Sequence, residues 1–253
     1  MKKINLPAIT ALAAIALVTL LSSCKKEIDY IGRHYNDLSP YRITKFSYTQ
    51  PFGGTDTLTF SYDKWGNPTT VTRPVPRTGD PNFEFRYDRN HRLTDFIGIY
   101  SGATAGEFWH RYFYDQKGQI TKDSLYVFPT IAGGQMTGFY YNRLIQLSYD
   151  HYGRIIQEIN ALGANDTARY VYDATGNLAG RTYDNKVSFH QTNRIWMFLD
   201  RDYSLNNPFV AEHYNAAGLP LHIDLHSENT FTLKFLYDNY YNIADITYSL
   251  NKW

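Results

Sequence analysis

A short pattern, Tyr-Asp-x-x-Gly followed by a polar residue, recurs along this chain and limits its fold more than any other feature. The close copies begin at Tyr62, Tyr114, Tyr149 and Tyr172. Three looser copies begin at Tyr87, Tyr214 and Tyr237. A repeated turn of this kind defines an architecture, whereas it says little about ligands or reactions.

Each copy predicts a tight turn between two strands. Asp at the first turn position accepts a hydrogen bond from the backbone N–H two residues on. Gly at the fourth position takes the left-handed conformation without steric cost, which closes a hairpin. The departures keep this chemistry, since Asn215 replaces the Asp in one copy and Asn90 beside His91 tolerates a positive φ. The copy with Tyr241 in place of Gly predicts its turn most weakly.

The segments before the turns alternate between apolar and polar residues. Phe83, Phe85 and Tyr87 are separated by Glu84 and Arg86. This period of two predicts a half-buried strand. The repeated Tyr therefore lies on the apolar face, with its ring packed and its hydroxyl able to reach water or a neighbouring backbone group.

Three stretches interrupt the repeats. Residues 73–81 are rich in proline, which cannot donate to a strand ladder, and residues 129–138 contain two adjacent glycines, so both predict loops. Residues 184–211 are the largest departure and predict an irregular insert that has room for a short helical turn. We expect the run from Trp196 to Phe198 to pin this insert onto the sheet.

The fold class that follows is all-β. Aromatic residues make up 17% of the chain, and such enrichment with regular turns favours strands. Seven hairpins would supply about 14 strands, more than the roughly 10 that an open twisted sheet holds without curling. We predict a single domain over residues 41–253, an antiparallel hairpin-repeat sheet that is strongly curved or spiralled. A closed barrel and a two-sheet sandwich are the alternatives.

Residues 1–23 have the pattern of a signal peptide. Lys2 and Lys3 form a positive start, and the apolar run over 6–21 is short for a membrane span. The run ends in Leu-Ser-Ser before Cys24 and resembles a bacterial lipobox. This resemblance implies cleavage before Cys24 and attachment of lipid to it.

Cys24 is the only cysteine, so the mature domain has no disulfide, no cysteine metal site and no cysteine nucleophile. Several acyl chains on one residue anchor a protein without a membrane-spanning helix. Residues 24–40 then consist of the lipidated Cys and a polar tether. Lys25 follows the Cys where inner-membrane retention in enteric bacteria uses Asp, so we expect the outer membrane.

The charge balance argues against a nucleic-acid partner. Cleavage would remove Lys2 and Lys3 from the 25 basic residues and leave 23 against 24 acidic ones. Nucleic-acid binders usually carry a basic excess or patch. A membrane, reached through Cys24, and a protein or a glycan remain as expected partners.

The turn motif at residues 62, 114, 149 and 172, with the looser copies, resembles the YD-repeat or Rhs-type family. In large members such repeats build a β-spiral shell around a cargo. This chain is more similar to small YD-repeat lipoproteins of Bacteroidota. That resemblance implies O-glycosylation at Asp-Ser/Thr sequences, for which Thr57, Ser124 and Thr167 are candidates. The competing interpretation is that Asp-Thr simply ends a turn and starts a strand.

Residue patterns typical of metal sites or catalytic sites are weak in this sequence. His222, Asp224 and His226 would share one face of a strand, but same-face neighbours lie ~7 Å apart, which is loose for one ion. The hydrolase, zinc-protease and phosphate-loop motifs are missing from the sequence. The turn aspartates resemble paired glycosidase carboxylates only in type, because turn formation already explains them. We therefore expect no cofactor, no metal and no catalytic activity.

Three functions remain in view. The first is a lipid-anchored scaffold or interaction protein of the cell envelope without catalytic activity. The second is a glycan-binding accessory lipoprotein, for which the candidate stacking residues are Trp65, Trp109, Tyr152 and Trp196. The third is a polysaccharide hydrolase. Binding is expected at the two loop positions between Asp and Gly and at the insert 184–211.

Overall fold

The alternating segments and turns fold into strands, as the pattern predicts. The computed structural model describes residues 40–49, 54–100, 104–161, 166–209, 211–224 and 243–250. The strands are β1 (Tyr41–Thr49), β2 (Thr55–Tyr62), β3 (Pro68–Thr72), β4 (Asn82–Tyr87), β5 (Leu93–Ile99), β6 (Gly106–Tyr114), β7 (Ile120–Val127), β8 (Thr130–Ala132), β9 (Gln135–Gly138), β10 (Tyr141–Tyr149), β11 (Ile155–Asn160), β12 (Thr167–Arg169), β13 (Ala211–Tyr214), β14 (Pro220–Asp224) and β15 (Ile243–Leu250). A 3-10 helix spans Phe189–Thr192, and helix α1 spans Arg194–Asp200.

Thirteen of the strands form one antiparallel sheet in the order β12-β11-β10-β7-β6-β5-β4-β3-β2-β1-β15-β14-β13. The strands β8 and β9 pair only with each other. The prediction of an all-β, antiparallel hairpin-repeat fold is confirmed. The large sheet is open at β12 and β13, so the closed-barrel alternative is wrong, and the strands do not divide into two packed sheets.

The last strand and the first strand together make one further repeat. In the repeat hairpins, each Tyr pairs with the residue six positions later, as Tyr62 does with Pro68 and Tyr114 with Ile120. Tyr248 of β15 pairs with Ile43 of β1 in the same way, and the register shifts beside the pair as it does in the hairpins. A pair of strands from opposite ends of the sequence thus replaces a hairpin. The Tyr237 copy lies outside the described residues.

The repeat tyrosines connect successive repeats through their hydroxyl groups. Each hydroxyl donates to the backbone carbonyl that follows the turn of the neighbouring repeat. The bonds run from Tyr248 to Pro220 (3.0 Å), Tyr62 to Ile43 (2.8 Å), Tyr87 to Pro68 (2.6 Å), Tyr114 to Leu93 (2.8 Å) and Tyr149 to Ile120 (2.7 Å). We call these five bonds the tyrosine ladder. They show that the hydroxyl reaches a backbone group, one of the two outcomes expected from the sequence.

The insert crosses the inner face of the sheet and fills it. We call residues 184–209 the crossing segment. The Trp196 ring packs edge-to-face against Phe60 of β2 and Phe85 of β4, each with ring centroids 5.7 Å apart. The Phe198 ring meets Tyr112 of β6 at 5.1 Å. The expectation that Trp196 and Phe198 pin the insert to the sheet is confirmed by these contacts.

The crossing segment also connects the two open ends of the sheet. At one end, the Tyr214 hydroxyl of β13 donates to Asp184 at 2.6 Å. At the other end, the side-chain amides of Asn177 and Asn206 join the turn of the Tyr172 repeat to the segment. The sheet therefore curves around this segment. Most of the segment is core, whereas Asn185, Lys186 and Arg194 are exposed, so binding at this insert stays a prediction.

A second, small core lies on the outer face. The segment 129–138, predicted as a loop, is the hairpin of β8 and β9. It folds back over β5 and β6, where Ile131 packs with Ile97 and Trp109. The alternation in this segment is too short to distinguish strand from loop, and the covering contact is tertiary.

Candidate functional site

All six described repeat turns share one hydrogen-bond geometry. In the first, one carboxylate oxygen of Asp63 accepts from the N–H groups of Trp65 and Asn67, both at 2.9 Å. Asn215 does the same in the last described turn. Gly118 and its equivalents have positive φ, as predicted. One detail is wrong: His91 itself takes the left-handed conformation, with a φ of 60°, rather than Asn90 beside it.

These turns lie at one end of the strands, because alternate connections of an antiparallel meander emerge on the same side. We call the exposed loop positions of the turns the turn ridge. Trp65 is 53% exposed and stacks on His91 with ring centroids 3.8 Å apart. Tyr152 is 42% exposed and stacks on His151 at 3.6 Å. The structure thus leaves two of the four candidate stacking residues accessible.

The other two candidates are buried. Trp109 lies under the β8–β9 hairpin, where its indole N–H donates to Asp95 at 2.6 Å. Trp196 lies between the crossing segment and the inner face of the sheet. Both are 0% exposed, so neither can stack on a ligand, and these two assignments are wrong. Sequence alone could not separate them from Trp65, because burial here is decided by segments distant in the chain.

An exposed aromatic patch lies at the opposite end of the strands, where β7 leads towards β10. The patch consists of Phe128, Phe139, Tyr140 and Tyr141. Tyr140 is 80% exposed and meets Tyr141 in a T-shaped contact, with centroids 5.9 Å apart. Phe139 is 48% exposed and packs against Tyr126 at 4.9 Å. This patch was not predicted from the sequence, although a Phe-Tyr-Tyr run directly after Gly138 indicates it.

Phe128 gives the patch an unusual backbone. Its φ is 49°, a left-handed conformation that is strained for a residue with a large side chain. Its N–H donates to the carbonyl of Glu107 at 3.0 Å, and its ring is 51% exposed. The fold therefore holds an apolar ring in solvent at a conformational cost of ~1–2 kcal/mol, and such outliers mark functional surfaces more often than average positions.

A buried charged cluster joins the crossing segment to the sheet. The guanidinium of Arg201 lies 3.2 Å from the Asp123 carboxylate of β7 and 3.0 Å from that of Glu158 of β11. His110 Nδ1 contacts the same Asp123 carboxylate at 2.8 Å. Burial acts to lower the pKa of Arg201, but the two carboxylates outweigh it and raise that pKa. The cluster keeps its charges paired, as buried ions require.

Three buried residues of the crossing segment have the composition of a hydrolase triad. The Ser188 hydroxyl lies 3.1 Å from His190 Nδ1, and His190 Nε2 lies 2.5 Å from Asp200. Ser188 is 1% exposed, and its hydroxyl caps the 3-10 helix. A nucleophile must reach its substrate, and Ser188 is buried. We therefore interpret these hydrogen bonds as stabilising the crossing segment.

Three of the turn carboxylates, those of Asp63, Asp88 and Asp173, are poorly suited to act as general acids. Partial burial acts to raise the pKa of Asp63, but hydrogen bonds from Asn67 and the turn N–H groups lower it overall. The N–H of Arg92 lowers the pKa of Asp88, and Thr175 lowers that of Asp173. A glycosidase acid needs a raised pKa, which is the opposite shift.

Of the candidate metal residues, His222 is the one whose side chain the structure describes, and it contacts a residue outside the predicted set. His222 Nδ1 pairs with Asp245 of β15 at 2.6 Å. Among the described residues, no three His, Cys, Asp or Glu side chains converge on one point. His226 lies outside the described residues.

The three candidate glycosylation sites have different surroundings. Thr167 is exposed in β12. Thr57 is half-buried in β2, and its hydroxyl bonds to Ser47 at 3.0 Å. Ser124 is buried in β7 with 9% exposure, so the folded chain gives its hydroxyl little access to solvent, and its glycosylation stays a prediction.

Cys24 and the signal sequence lie outside the described residues. Among the helices of the described part of the chain, none has the length and apolar character needed to traverse a bilayer.

Comparison with known proteins yields little. Neither protein-family models nor curated proteins match the chain. Among solved structures, the crystal structure of TcdB2-TccC3-TEV aligns with 74% of this chain and 12% of its own, at 13% identity and a TM-score of 0.22. This chain therefore spans about an eighth of that protein, and a likeness of this strength carries no functional argument.

Proposed function

We propose that this chain is a small YD-repeat (Rhs-like) lipoprotein of the Bacteroidota type, held at the outer membrane by lipid on Cys24. In this proposal it acts as a non-catalytic interaction protein of the cell envelope. The lipobox-like sequence supports the anchor, and the repeat turns support the family. The observation that carries the interaction role is the aromatic patch.

The patch is informative because the fold covers the two main apolar faces of the sheet but leaves these rings in solvent. The inner face of the sheet packs on the crossing segment, and the β8–β9 hairpin covers Ile97 and Trp109 on the outer face. Four aromatic residues at one end of the strands nevertheless remain 40% to 80% exposed. Exposed aromatic residues grouped in this way are typical of protein contacts, in which Tyr and Phe are enriched.

In-cell photo-crosslinking tests this role. A photoreactive phenylalanine analogue at position 140 should give a discrete protein adduct in the envelope. The same analogue at position 113, an aromatic residue on β6 that is 45% exposed but remote from the patch, is the matched control. Equal adducts from both positions, or none from position 140, would contradict the interaction role.

The anchor has its own test. Cells fed a fatty acid that carries an alkyne should label the wild-type chain, and Cys24→Ala should abolish the label. A labelled Cys24→Ala chain would refute the assignment of lipid to this residue.

Glycan binding is the second candidate. The supporting observation is that Trp65, Tyr152 and Tyr140 present exposed rings, which can stack on sugar rings. A glycan array should then give hits that are lost in either Tyr140→Ala or Trp65→Ala, which tells whether the patch or the turn ridge binds. An array without hits favours the protein partner.

A further inference from the structure

The chain enters the described fold at the turn ridge. Tyr41 pairs with Leu250 at the end of the β15–β1 pair, which corresponds to the turn end of a repeat hairpin. The 15 residues between Cys24 and Pro40 let these two positions lie at most ~55 Å apart when the chain is fully extended. The turn ridge is therefore the end of the sheet from which the chain leads to Cys24, whereas the aromatic patch lies at the far end of the strands.

The turn ridge presents positive charge outward. Lys64, Arg89 and Lys117 are exposed in three adjacent repeats, and none of them forms an ion pair with a described residue. The turn aspartates beside them accept backbone N–H groups of their own loops. Lys64, Arg89 and Lys117 therefore carry the positive charge that this end of the sheet offers to a partner.

The ridge also carries exposed rings beside cations. The Lys64 ammonium lies 4.3 Å from the centre of the Trp65 ring. Three repeats along, Arg154, which pairs with Asp150, lies 5.1 Å from the centre of the Tyr152 ring. Amphipathic Trp and Tyr rings favour the headgroup level of a bilayer, and nearby Lys and Arg are attracted to anionic lipid.

We propose that the turn ridge lies on an anionic membrane surface, with Trp65 and Tyr152 at headgroup depth and Lys64, Arg89 and Lys117 against lipid phosphates. This orientation points the aromatic patch away from the bilayer, towards a partner. The inference rests on the proposed function only for the role of Cys24, since the ridge chemistry is independent of the anchor.

Fluorescence quenching by brominated lipid tests the contact directly. The mature chain, residues 24–253 carrying Cys24→Ala, lacks both the proposed anchor and the apolar signal sequence and is titrated with vesicles of brominated phosphatidylglycerol. The same titration is done with a chain that also carries Trp65→Phe. The quenching that is present with Trp65 and absent with Trp65→Phe measures contact of the turn ridge with lipid. We expect quenching that weakens at high salt and in phosphatidylcholine vesicles. Lys64→Gln should raise the lipid concentration for half-maximal quenching about fivefold, because one cation near an anionic surface contributes ~1 kcal/mol.

Two matched controls separate the ridge from the rest of the surface. Arg143→Gln removes an exposed cation near the aromatic patch and should leave the titration unchanged. Tyr140→Trp in the Trp65→Phe chain should add emission that the brominated lipid does not quench. Absent quenching of Trp65, or equal quenching at position 140, would overturn the inference. If only the proposed lipid anchor is wrong, Cys24 will not be labelled by the fatty acid, but the lipid will still quench Trp65.

Discussion

The tyrosine ladder makes a sharp prediction for Tyr87→Phe. The substitution keeps the ring and removes only the hydroxyl that donates to the Pro68 carbonyl at 2.6 Å. Pro68 is buried, so little water can replace the lost donor. A net hydrogen bond contributes ~1 kcal/mol, and a buried group left without a partner costs up to ~3 kcal/mol. We expect the free energy of unfolding to fall by ~1–2 kcal/mol.

Urea denaturation followed by circular dichroism measures this loss. The midpoint should fall while the slope with denaturant stays the same, because the fold and its buried area are unchanged. Tyr140→Phe is the control, since that ring is 80% exposed and its hydroxyl faces solvent. The control should change stability by less than ~0.5 kcal/mol.

The composite repeat extends the same test across the ends of the sequence. Tyr248 donates to Pro220 at 3.0 Å and pairs with Ile43, so Tyr248→Phe should cost about as much as Tyr87→Phe. A Tyr87→Phe chain as stable as Tyr140→Phe would refute the ladder as a stabilising device. A loss for Tyr87→Phe but none for Tyr248→Phe would refute the equivalence of the β15–β1 pair.

Three further predictions concern the charge, turn and ionisation of the same fold. Asp123→Ala leaves the buried Arg201 short of a partner and should destabilise the chain by ~3–5 kcal/mol in the same urea assay; a milder loss would show that Glu158 suffices. Gly118→Ala meets no atom within 4 Å but must hold a φ of +79°, so a loss of ~1 kcal/mol is expected, and a gain would contradict the turn assignment. Burial raises the pKa values of all five ladder tyrosines above their unfolded value near 10, so their contribution is complete below pH ~10 and is lost as pH rises. At pH 11 the loss is ~1.4 kcal/mol each, or ~7 kcal/mol together, so ellipticity should collapse near pH 11 and not persist to pH 12. These five are Tyr62, Tyr87, Tyr114, Tyr149 and Tyr248.

The features that were predicted correctly are those that depend on residues close together in the sequence. The turn of Asp63 closes through hydrogen bonds that span four residues, and Gly66 supplies the left-handed position that ends it. The alternation before each turn places Tyr87 on the inner face through the geometry of a single strand. Such interactions need no knowledge of the rest of the chain, so the hairpins, the antiparallel class and the location of the tyrosines could be read from residue order.

Tertiary structure decided which aromatic residues remain accessible. Trp65 and Trp109 have the same side chain and both lie in repeat units, yet one is exposed and the other is covered by a hairpin that begins 21 residues later. Trp196 is buried because its segment lies across strands more than 100 residues earlier in the chain. The contacts that bury these rings have no periodic signal in the sequence.

The sequence by itself thus determined the repeated unit of this protein, because each unit is held by short-range hydrogen bonds and a period of two. Only the tertiary structure decided how the array is completed. Tyr248 and Ile43 are separated by 205 positions and still pair as a hairpin would, while residues 184–209 fill the inner face. Pairing at that separation depends on burial of the whole sheet, which no local pattern encodes.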